Sequence, residues 1–202
     1  ELPWYDRLAV AFKLSSRSRL VTPWGEDVPL HSVESRLAAL DRSRKHLKSL
    51  PEEHFGEVFP RLLEGLGPSE LESPKNAMLS WDDVHALRGL GFRVGAHTVT
   101  HPILSRVSAE RARAEVFGSR EMIQVACGTA PRAFAYPNGG PTDYTAAVVD
   151  MVREAGFDCA VTTRFGLNTD RTSPWELRRG QPWEEHLPTF ALKLSWYRLT
   201  LR

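Results

Sequence analysis

The segment RAFAYPNGGPTDYTAAVVDMVREAGFDCAVTT, residues 132–163, contains two short apolar stretches with an amphipathic stretch between them. Residues 132–136 and 157–163 have the length and composition of strands, whereas apolar residues recur at helical spacing over residues 144–155. Thr142 is the predicted N-cap of this helix. A strand, a helix and a second strand with short links predict two parallel strands joined by a right-handed crossover. The segment therefore predicts an α/β fold.

The same alternation extends over the rest of residues 80–202. Ser80 is predicted to begin a helix whose buried stripe is formed by Val84, Leu87 and Leu90. Residues 92–97 form the next predicted strand, a long helix begins at Ser108, and residues 176–179 are a candidate fourth strand. Folds of this kind place their chemistry at the C-terminal ends of their parallel strands. The residues that follow each predicted strand therefore form the candidate site.

Residues 1–79 have a different pattern. Apolar residues recur at helical spacing in residues 4–12, 33–50 and 52–66, and prolines separate these stretches. No part of residues 1–79 is predicted to be a strand, and residues 69–75 are a polar linker. The chain is therefore predicted to consist of a helical part, residues 1–79, and an α/β part, residues 80–202.

The composition excludes several classes of protein. The 202 residues are 42% hydrophobic and 25% charged, which is typical of a globular domain and not of a disordered or fibrous chain. A formal net charge of +1 provides no field to attract nucleic acid, so we expect no nucleic-acid partner. No stretch has the ~18–20 continuous apolar residues of a membrane span. The two cysteines, Cys127 and Cys159, are predicted to be buried thiols.

Two histidines follow the strand predicted for residues 92–97. His97 and His101 are four residues apart, a spacing that suits metal ligation but that two unrelated polar histidines also produce. The H-E-x-x-H motif of zinc peptidases is excluded, because Thr98 follows the first histidine and no carboxylate lies between the two. Spacing alone leaves both interpretations open. The position of the pair at a strand end favours metal ligation.

The histidines belong to a longer motif. Residues 97–102, HTVTHP, resemble the H-[ST]-x-x-H-P motif of polysaccharide deacetylases with a NodB-type domain, which form carbohydrate esterase family 4. Residues 134–139, FAYPNG, are similar to the later F-x-x-P-x-G motif of that family. The resemblance extends over residues 78–180 and is closest to the branch found with exopolysaccharide and O-antigen loci.

This resemblance implies a fold, a reaction and a set of site residues. The fold would be a partial, distorted (β/α) barrel of NodB type in which residues 1–79 form an N-terminal helical insertion. The reaction would be hydrolysis of a carbon–nitrogen bond that is not a peptide bond, releasing acetate from an N-acetylated oligo- or polysaccharide. His97 and His101 would be ligands of a divalent metal, usually zinc, and the backbone amides of Tyr136 and Asn138 would stabilise the oxyanion. Tyr136 and Trp175 are also predicted to contact the sugar.

The sequence departs from the family at the catalytic carboxylates. The family's T-F-D-D motif, which supplies a metal ligand and the general base, does not occur in these residues. We therefore expect that motif, and the first strands of the barrel, upstream of Glu1 in a parent chain. Asp82 and Asp83 are not substitutes, because they begin a helix and favour its cap and dipole. His186, in the stretch EEHL, resembles the late L-x-H general acid of the family, but the order of the residues around it differs. We therefore expect His186 to be a surface residue.

Three hypotheses remain open on the sequence alone. The first is a metal-dependent deacetylase acting in carbohydrate metabolism or surface-polysaccharide biosynthesis, in the cytoplasm and inactive as this fragment. The second is a non-catalytic deacetylase-like domain that binds carbohydrate or metal. The third is a structural α/β domain in which both histidines form hydrogen bonds within a loop. An upstream pair of aspartates would favour the first hypothesis over the second.

Overall fold

The computed structural model describes residues 2–67, 78–180 and 186–200. The chain divides into two compact units, Glu1–Ser80 and Trp81–Arg202, which we call the N-terminal unit and the C-terminal unit. Within the described residues, no helix is both long and apolar enough to cross a membrane.

Three helices form most of the N-terminal unit, at the positions predicted from apolar spacing. They are α1 (Trp4–Leu14), α2 (Val33–Ser49) and α3 (Glu52–Leu66). Ser32 caps α2 by accepting a hydrogen bond from the Ser35 backbone N–H, and the Ser35 hydroxyl accepts one from the Ser32 N–H in return. Gly67 ends α3 with a φ of 95°, a left-handed conformation that glycine adopts without steric cost.

The N-terminal unit also contains a hairpin, so the prediction that residues 1–79 contain no strand is wrong. Strands β1 (Arg19–Val21) and β2 (Asp27–Pro29) pair in antiparallel register with Leu20 opposite Val28. Each strand has three residues and buries only the central one, so the alternation is too short to identify from sequence. Pro29 is tolerated because it occupies the end of a two-stranded ladder.

The C-terminal end of α1 is held by polar contacts from the rest of the unit. The Arg36 guanidinium donates to the backbone oxygens of Phe12 at 3.0 Å and Ser15 at 2.8 Å, and also to Arg17 at 3.1 Å. The buried Ser15 hydroxyl donates to the Leu66 oxygen at 2.6 Å. These bonds pair carbonyl groups that the end of a helix otherwise leaves without partners.

The C-terminal unit is built on a parallel sheet. Strands β3 (Ala133–Ala135) and β4 (Cys159–Val161) pair in parallel, with Phe134 opposite Ala160. Ala96 pairs with Phe134 on the outer side of β3, and Leu177 pairs with Val161 on the outer side of β4. The strands predicted at residues 92–97 and 176–179 are thus reduced to single pairing positions. The parallel α/β arrangement is confirmed, and its completion to a barrel stays a prediction.

The described part of the C-terminal unit also contains four helices and one short turn of 3-10 helix. They are α4 (Trp81–Gly89), α5 (Ala109–Cys127), α6 (Ala146–Glu154), α7 (Leu187–Thr200) and the turn Pro174–Glu176. Ser108 caps α5 as predicted, since its hydroxyl accepts the Arg111 N–H at 3.1 Å. The apolar spacing did not predict α7.

Two predictions for these helices are corrected by the structure. Thr145, not Thr142, caps α6, because its hydroxyl accepts the Val148 N–H. The chain before it forms a turn in which the Asp143 carboxylate accepts the Gly140 N–H at 2.8 Å, so the helix begins three residues later. The stripe predicted for α4 is not buried either: Leu90 is 76% exposed and α4 has no buried residue.

Each unit has its own apolar core. In the N-terminal unit the core contains Leu8, Phe12, Leu20, Val28, Leu47, Leu62 and Leu66. In the C-terminal unit it contains Ala112, Val116, Phe134, Val148, Val152, Phe157 and Ala160. The sheet is therefore covered by α5 and α6, and its strand ends are fixed by packing.

The core of the N-terminal unit can be tested with two leucines. We expect Leu62→Ala to lower the free energy of opening of this unit by about 2–5 kcal/mol, because Leu62 is fully buried. Leu37→Ala is the matched control, since Leu37 is 60% exposed, and it should change that free energy by less than about 0.5 kcal/mol. Hydrogen exchange of the slowest amides in α1–α3 measures both values for this unit alone. Equal effects of the two substitutions would contradict the burial described here.

Candidate metal and substrate site

The register of the sheet brings the predicted site residues to one edge. Ala96, Phe134 and Ala160 lie side by side in parallel strands. His97 therefore leaves the sheet next to Ala135, and the turn that begins at Tyr136 leaves it on the same side. This edge is the C-terminal edge of the strands, where α/β folds place their ligands.

The His97 imidazole is fixed by a backbone oxygen. Its Nδ1 lies 2.7 Å from the Ala135 oxygen, and because a carbonyl only accepts, Nδ1 carries the proton and donates. The neutral ring then has its lone pair on Nε2, which is the form in which histidine binds a metal. The His101 ring is packed edge-to-face against it, with 4.7 Å between ring centroids and 76° between planes. The structure thus brings the two histidines together.

The loop that carries the two histidines has a strained backbone. Thr98 has a φ of 66° and His101 a φ of 61°, in the left-handed region that β-branched residues rarely adopt. The Thr98 hydroxyl stabilises this turn by donating to the His97 oxygen at 2.5 Å and accepting the His101 N–H at 3.0 Å. Strain of this kind costs about 1–3 kcal/mol per residue and persists only when the surrounding contacts enforce it.

A buried carboxylate on α5 supports the same loop, and the sequence analysis missed it. Oε2 of Glu115 accepts the N–H groups of Val99 at 2.6 Å and Thr100 at 2.8 Å. Oε1 accepts the Thr100 hydroxyl at 2.6 Å and pairs with Nη2 of Arg111 at 2.8 Å. The signal was available, because Glu115 is a charged residue three positions after the buried Ala112 on the apolar face of α5.

The donor set offers a metal two nitrogens. The neighbouring imidazoles fit two of the four positions of a tetrahedral zinc site. Among the residues that the structure describes, however, no three His, Cys, Asp or Glu side chains are placed to hold an ion together. Asp82 and Asp83 lie exposed in the first turn of α4, as expected for residues that favour a helix N-terminus. His186 is exposed and precedes α7.

Tyr136 is held in the core of the C-terminal unit. Its N–H donates to the Val161 oxygen at 3.2 Å, and its hydroxyl donates to the Trp175 oxygen at 2.8 Å. Its ring is 2% exposed and stacks on Tyr144 with 4.2 Å between centroids. An N–H engaged in the sheet cannot also donate to an oxyanion without breaking that bond. The predicted oxyanion role of Tyr136 therefore conflicts with its place in the sheet.

Asn138 occupies a tight turn after β3. It has a φ of 57°, and its backbone oxygen accepts the Thr163 hydroxyl at 2.7 Å. Gly139 follows with a φ of 69°, and a Cβ there would lie 2.9 Å from the Thr163 nitrogen, so the position requires glycine. The Thr163 N–H in turn donates to the Gly139 oxygen at 2.9 Å. These contacts fix the backbone of Asn138 against the end of β4.

Trp175 packs against the same core. Its indole N–H donates to the Phe157 oxygen at 3.0 Å, and the Arg153 guanidinium lies 5.8 Å from the ring centroid. The ring is half-buried. A sugar contact by Trp175 or by the buried ring of Tyr136 stays a prediction.

The sequence of this region matches a known family. Residues 66–160 match the family model described as polysaccharide deacetylase. The predicted resemblance to polysaccharide deacetylases is confirmed. We call residues 66–160 the deacetylase segment, and it contains both the histidine motif and the FAYPNG motif. No curated protein sequence matches the chain.

Part of the chain is similar to solved deacetylase structures. The Streptococcus pyogenes deacetylase PplD is 23% identical, with 52% of this chain and 45% of that chain covered and a TM-score of 0.49. The BpsB deacetylase domain of Bordetella bronchiseptica is 17% identical, with 55% and 52% covered and a TM-score of 0.48. IcaB of Ammonifex degensii is 22% identical, with 60% and 54% covered and a TM-score of 0.46. The matched part spans about half the length of these structures.

The buried phenol of Tyr136 predicts a loss of stability at alkaline pH. Burial raises the pKa of Tyr136 above its usual 10.0, and Tyr144 and Glu176 add to the effect. The folded state then holds the phenol proton more tightly than the unfolded state. Its contribution is fully present below pH 10 and is lost as the pH rises from there towards the raised pKa.

We expect Tyr136→Phe to destabilise the C-terminal unit by about 1–2 kcal/mol at neutral pH, because the Trp175 oxygen loses its donor. Above pH 10 the difference between the variant and the wild type should narrow. Hydrogen exchange at neutral pH and thermal unfolding at a series of alkaline pH values measure the two effects. A pH-independent difference would show that the phenol is not buried as described.

Proposed function

We propose that this chain belongs to a metal-dependent deacetylase that removes acetyl groups from an N-acetylated polysaccharide. The observation that carries the proposal is the pair of imidazoles at the sheet edge, within the deacetylase segment, with the His97 tautomer fixed by the Ala135 oxygen. The enzyme is a hydrolase of amide bonds outside peptides. Zinc as the metal, surface-polysaccharide biosynthesis as the process and the cytoplasm as the compartment are predictions from the sequence.

His97 and His101 would hold the metal. When bound, a divalent ion supplies a Lewis acid that polarises the acetamide carbonyl and makes water more acidic. The contribution of the protein is to keep the Nε2 lone pair of His97 available by engaging Nδ1 with Ala135. The edge-to-face packing holds the second imidazole beside the first. Among the described residues, no third His, Cys, Asp or Glu side chain joins the two rings.

The turn after β3 would stabilise the oxyanion. We keep the backbone amide of Asn138 as the oxyanion donor predicted from the sequence, because Asn138 lies in the turn that leaves the sheet on the same side as His97. Its backbone is fixed by the Thr163 hydroxyl and by the close approach of Gly139 to β4. A donor that is fixed in advance needs no reorganisation when negative charge develops on the substrate oxygen.

A second function competes with the first. In the described residues no third metal ligand accompanies the two histidines, and a site without a carboxylate has no base to deprotonate water. This observation favours a non-catalytic domain that binds metal or carbohydrate without turnover. The two functions differ in whether the completed parent protein releases acetate.

Metal binding can be tested on the two histidines. We expect His97→Ala and His101→Ala each to weaken Co²⁺ binding by at least about tenfold, because each removes one of two nitrogen ligands. His85→Ala is the matched control, since His85 is an exposed histidine on α4 of the same unit. Calorimetric titration with Co²⁺ and the visible absorption of the bound ion measure the affinities. If all three variants bind Co²⁺ as the wild type does, the two histidines form no metal site.

Turnover can be tested on the chain alone. We expect these 202 residues to release no acetate from N-acetylglucosamine oligomers above the background rate with Zn²⁺ present, because the T-F-D-D motif that supplies the base in the deacetylase family does not occur in this sequence. The same assay on the full-length protein distinguishes the two functions. Release of acetate there supports the deacetylase, whereas its absence with retained Co²⁺ binding supports the non-catalytic domain. Zinc-dependent turnover by the 202-residue chain itself would contradict this expectation and place the base within these residues.

A further inference from the structure

Glu115 is the one charged side chain that is fully buried among the residues described, and it lies directly behind the histidine loop, residues 97–101. A carboxylate removed from water is stable only if donors surround it. Here the donors are the Val99 and Thr100 N–H groups, the Thr100 hydroxyl and the Arg111 guanidinium. Three of these four contacts come from the loop itself.

The three contacts hold the middle of the loop, between the two rings. The His97 ring is held at the sheet by the Ala135 oxygen, and the His101 backbone N–H is held by the Thr98 hydroxyl. Between these points only Val99 and Thr100 remain, and both donate their N–H groups to the carboxylate. Adjacent N–H groups that converge on one oxygen atom fix the orientation of the peptide plane that joins them.

The backbone strain shows why the loop needs this support. Thr98 and His101 both have positive φ angles, which a free loop would abandon for ordinary ones. A change of φ at His101 rotates its side chain away from His97, since the ring follows the direction of Cβ. The contacts with Glu115 are the ones that oppose this change from inside the core.

We infer that Glu115 is the positioning residue of the candidate metal site, because it holds the histidine loop in the strained conformation that keeps the His97 and His101 rings together. The inference deepens the proposed function and rests on it for the role of the rings as ligands. Glu115 does not contact the metal position and is not a catalytic residue. Arg111 is 42% exposed and orients the carboxylate through Oε1.

The carboxylate can be replaced by an amide that retains the key contacts. In Glu115→Gln the amide oxygen can still accept both N–H groups, and the amide nitrogen can donate to the Thr100 hydroxyl, whereas the contact of Oε1 with Arg111 is lost and the partly exposed guanidinium turns to solvent. Glu115→Ala removes every contact and leaves the N–H groups of Val99 and Thr100 without this acceptor. Glu121→Ala is the matched control, since Glu121 is an exposed glutamate on the same helix.

Two readouts need no metal. The first is the nuclear Overhauser effect between the ring protons of His97 and His101, which reports whether the rings remain in contact. The second is amide hydrogen exchange at Val99 and Thr100. In Glu115→Ala we expect the ring contact to be lost and exchange to accelerate by at least about tenfold. Glu115→Gln should retain the ring contact, and its amide exchange rates at Val99 and Thr100 should stay within about threefold of the wild type. Glu121→Ala should change neither the ring contact nor these rates.

The third readout is the affinity for Co²⁺ alone. Residues that orient metal ligands typically contribute about 10–100-fold to affinity, and we expect a loss of that size in Glu115→Ala and recovery in Glu115→Gln. A folded Glu115→Ala that keeps the ring contact and the wild-type Co²⁺ affinity overturns the inference. If the wild type binds no Co²⁺, the proposed metal site fails, while the ring contact and amide exchange still decide whether Glu115 holds the loop.

A variant on the loop side covers the case in which Glu115→Ala does not fold. Thr100→Val removes the hydroxyl that donates to Oε1 of Glu115, at an exposed position where the fold tolerates substitution. We expect intermediate effects, with exchange at Val99 faster by about threefold and a weakened ring contact. The inference is also overturned if Thr100→Val keeps the wild-type amide exchange and ring contact while Glu115→Gln retains neither.

Discussion

The parallel pairing of Ala96 with Phe134, and of Phe134 with Ala160, is the constraint on which the candidate site depends. Because neighbouring parallel strands end at the same edge, this register sets the histidine loop beside the turn after β3. A shift of one residue would move His97 away from the Ala135 oxygen and turn its side chain to the other face. The core that α5 and α6 form over the sheet therefore protects the site geometry as well as the stability of the unit.

The candidate site contains three residues with strained backbone conformations. Thr98, His101 and Asn138 have left-handed conformations without being glycine, and all three lie in the loops that follow strands of the sheet. Side-chain hydrogen bonds hold these loops. The Thr98 hydroxyl and the Glu115 carboxylate hold the histidine loop, and the Thr163 hydroxyl holds Asn138. Strain that is maintained by such contacts keeps these loops in one conformation.

The sequence predicted the parts of this structure that depend on repeated local patterns. The helices of the N-terminal unit, the two paired strands of the sheet and the histidine motif all followed from apolar spacing or motif, and the deacetylase resemblance was confirmed over residues 66–160. What it missed depends on contacts between distant residues. Each strand of the hairpin buries only one residue. Leu90 is apolar, yet no described part of the chain covers its side chain. Glu115 has a role only because the fold brings Val99 to it. Spacing along the chain contains no record of these contacts.

The hydrogen bond of His97 to Ala135 supports one of the hypotheses that the sequence left open. A histidine that served only to hold the loop could donate from either nitrogen, and a strained loop would be a cost without a return. Here the ring donates through Nδ1 to the sheet, its other nitrogen is left as the acceptor, and the second imidazole is kept within 4.7 Å, centroid to centroid. Metal-binding histidines commonly donate their other ring N–H to a backbone carbonyl in this way. The geometry therefore supports the proposed metal site, and the choice between enzyme and binding domain depends on the carboxylate that would complete it.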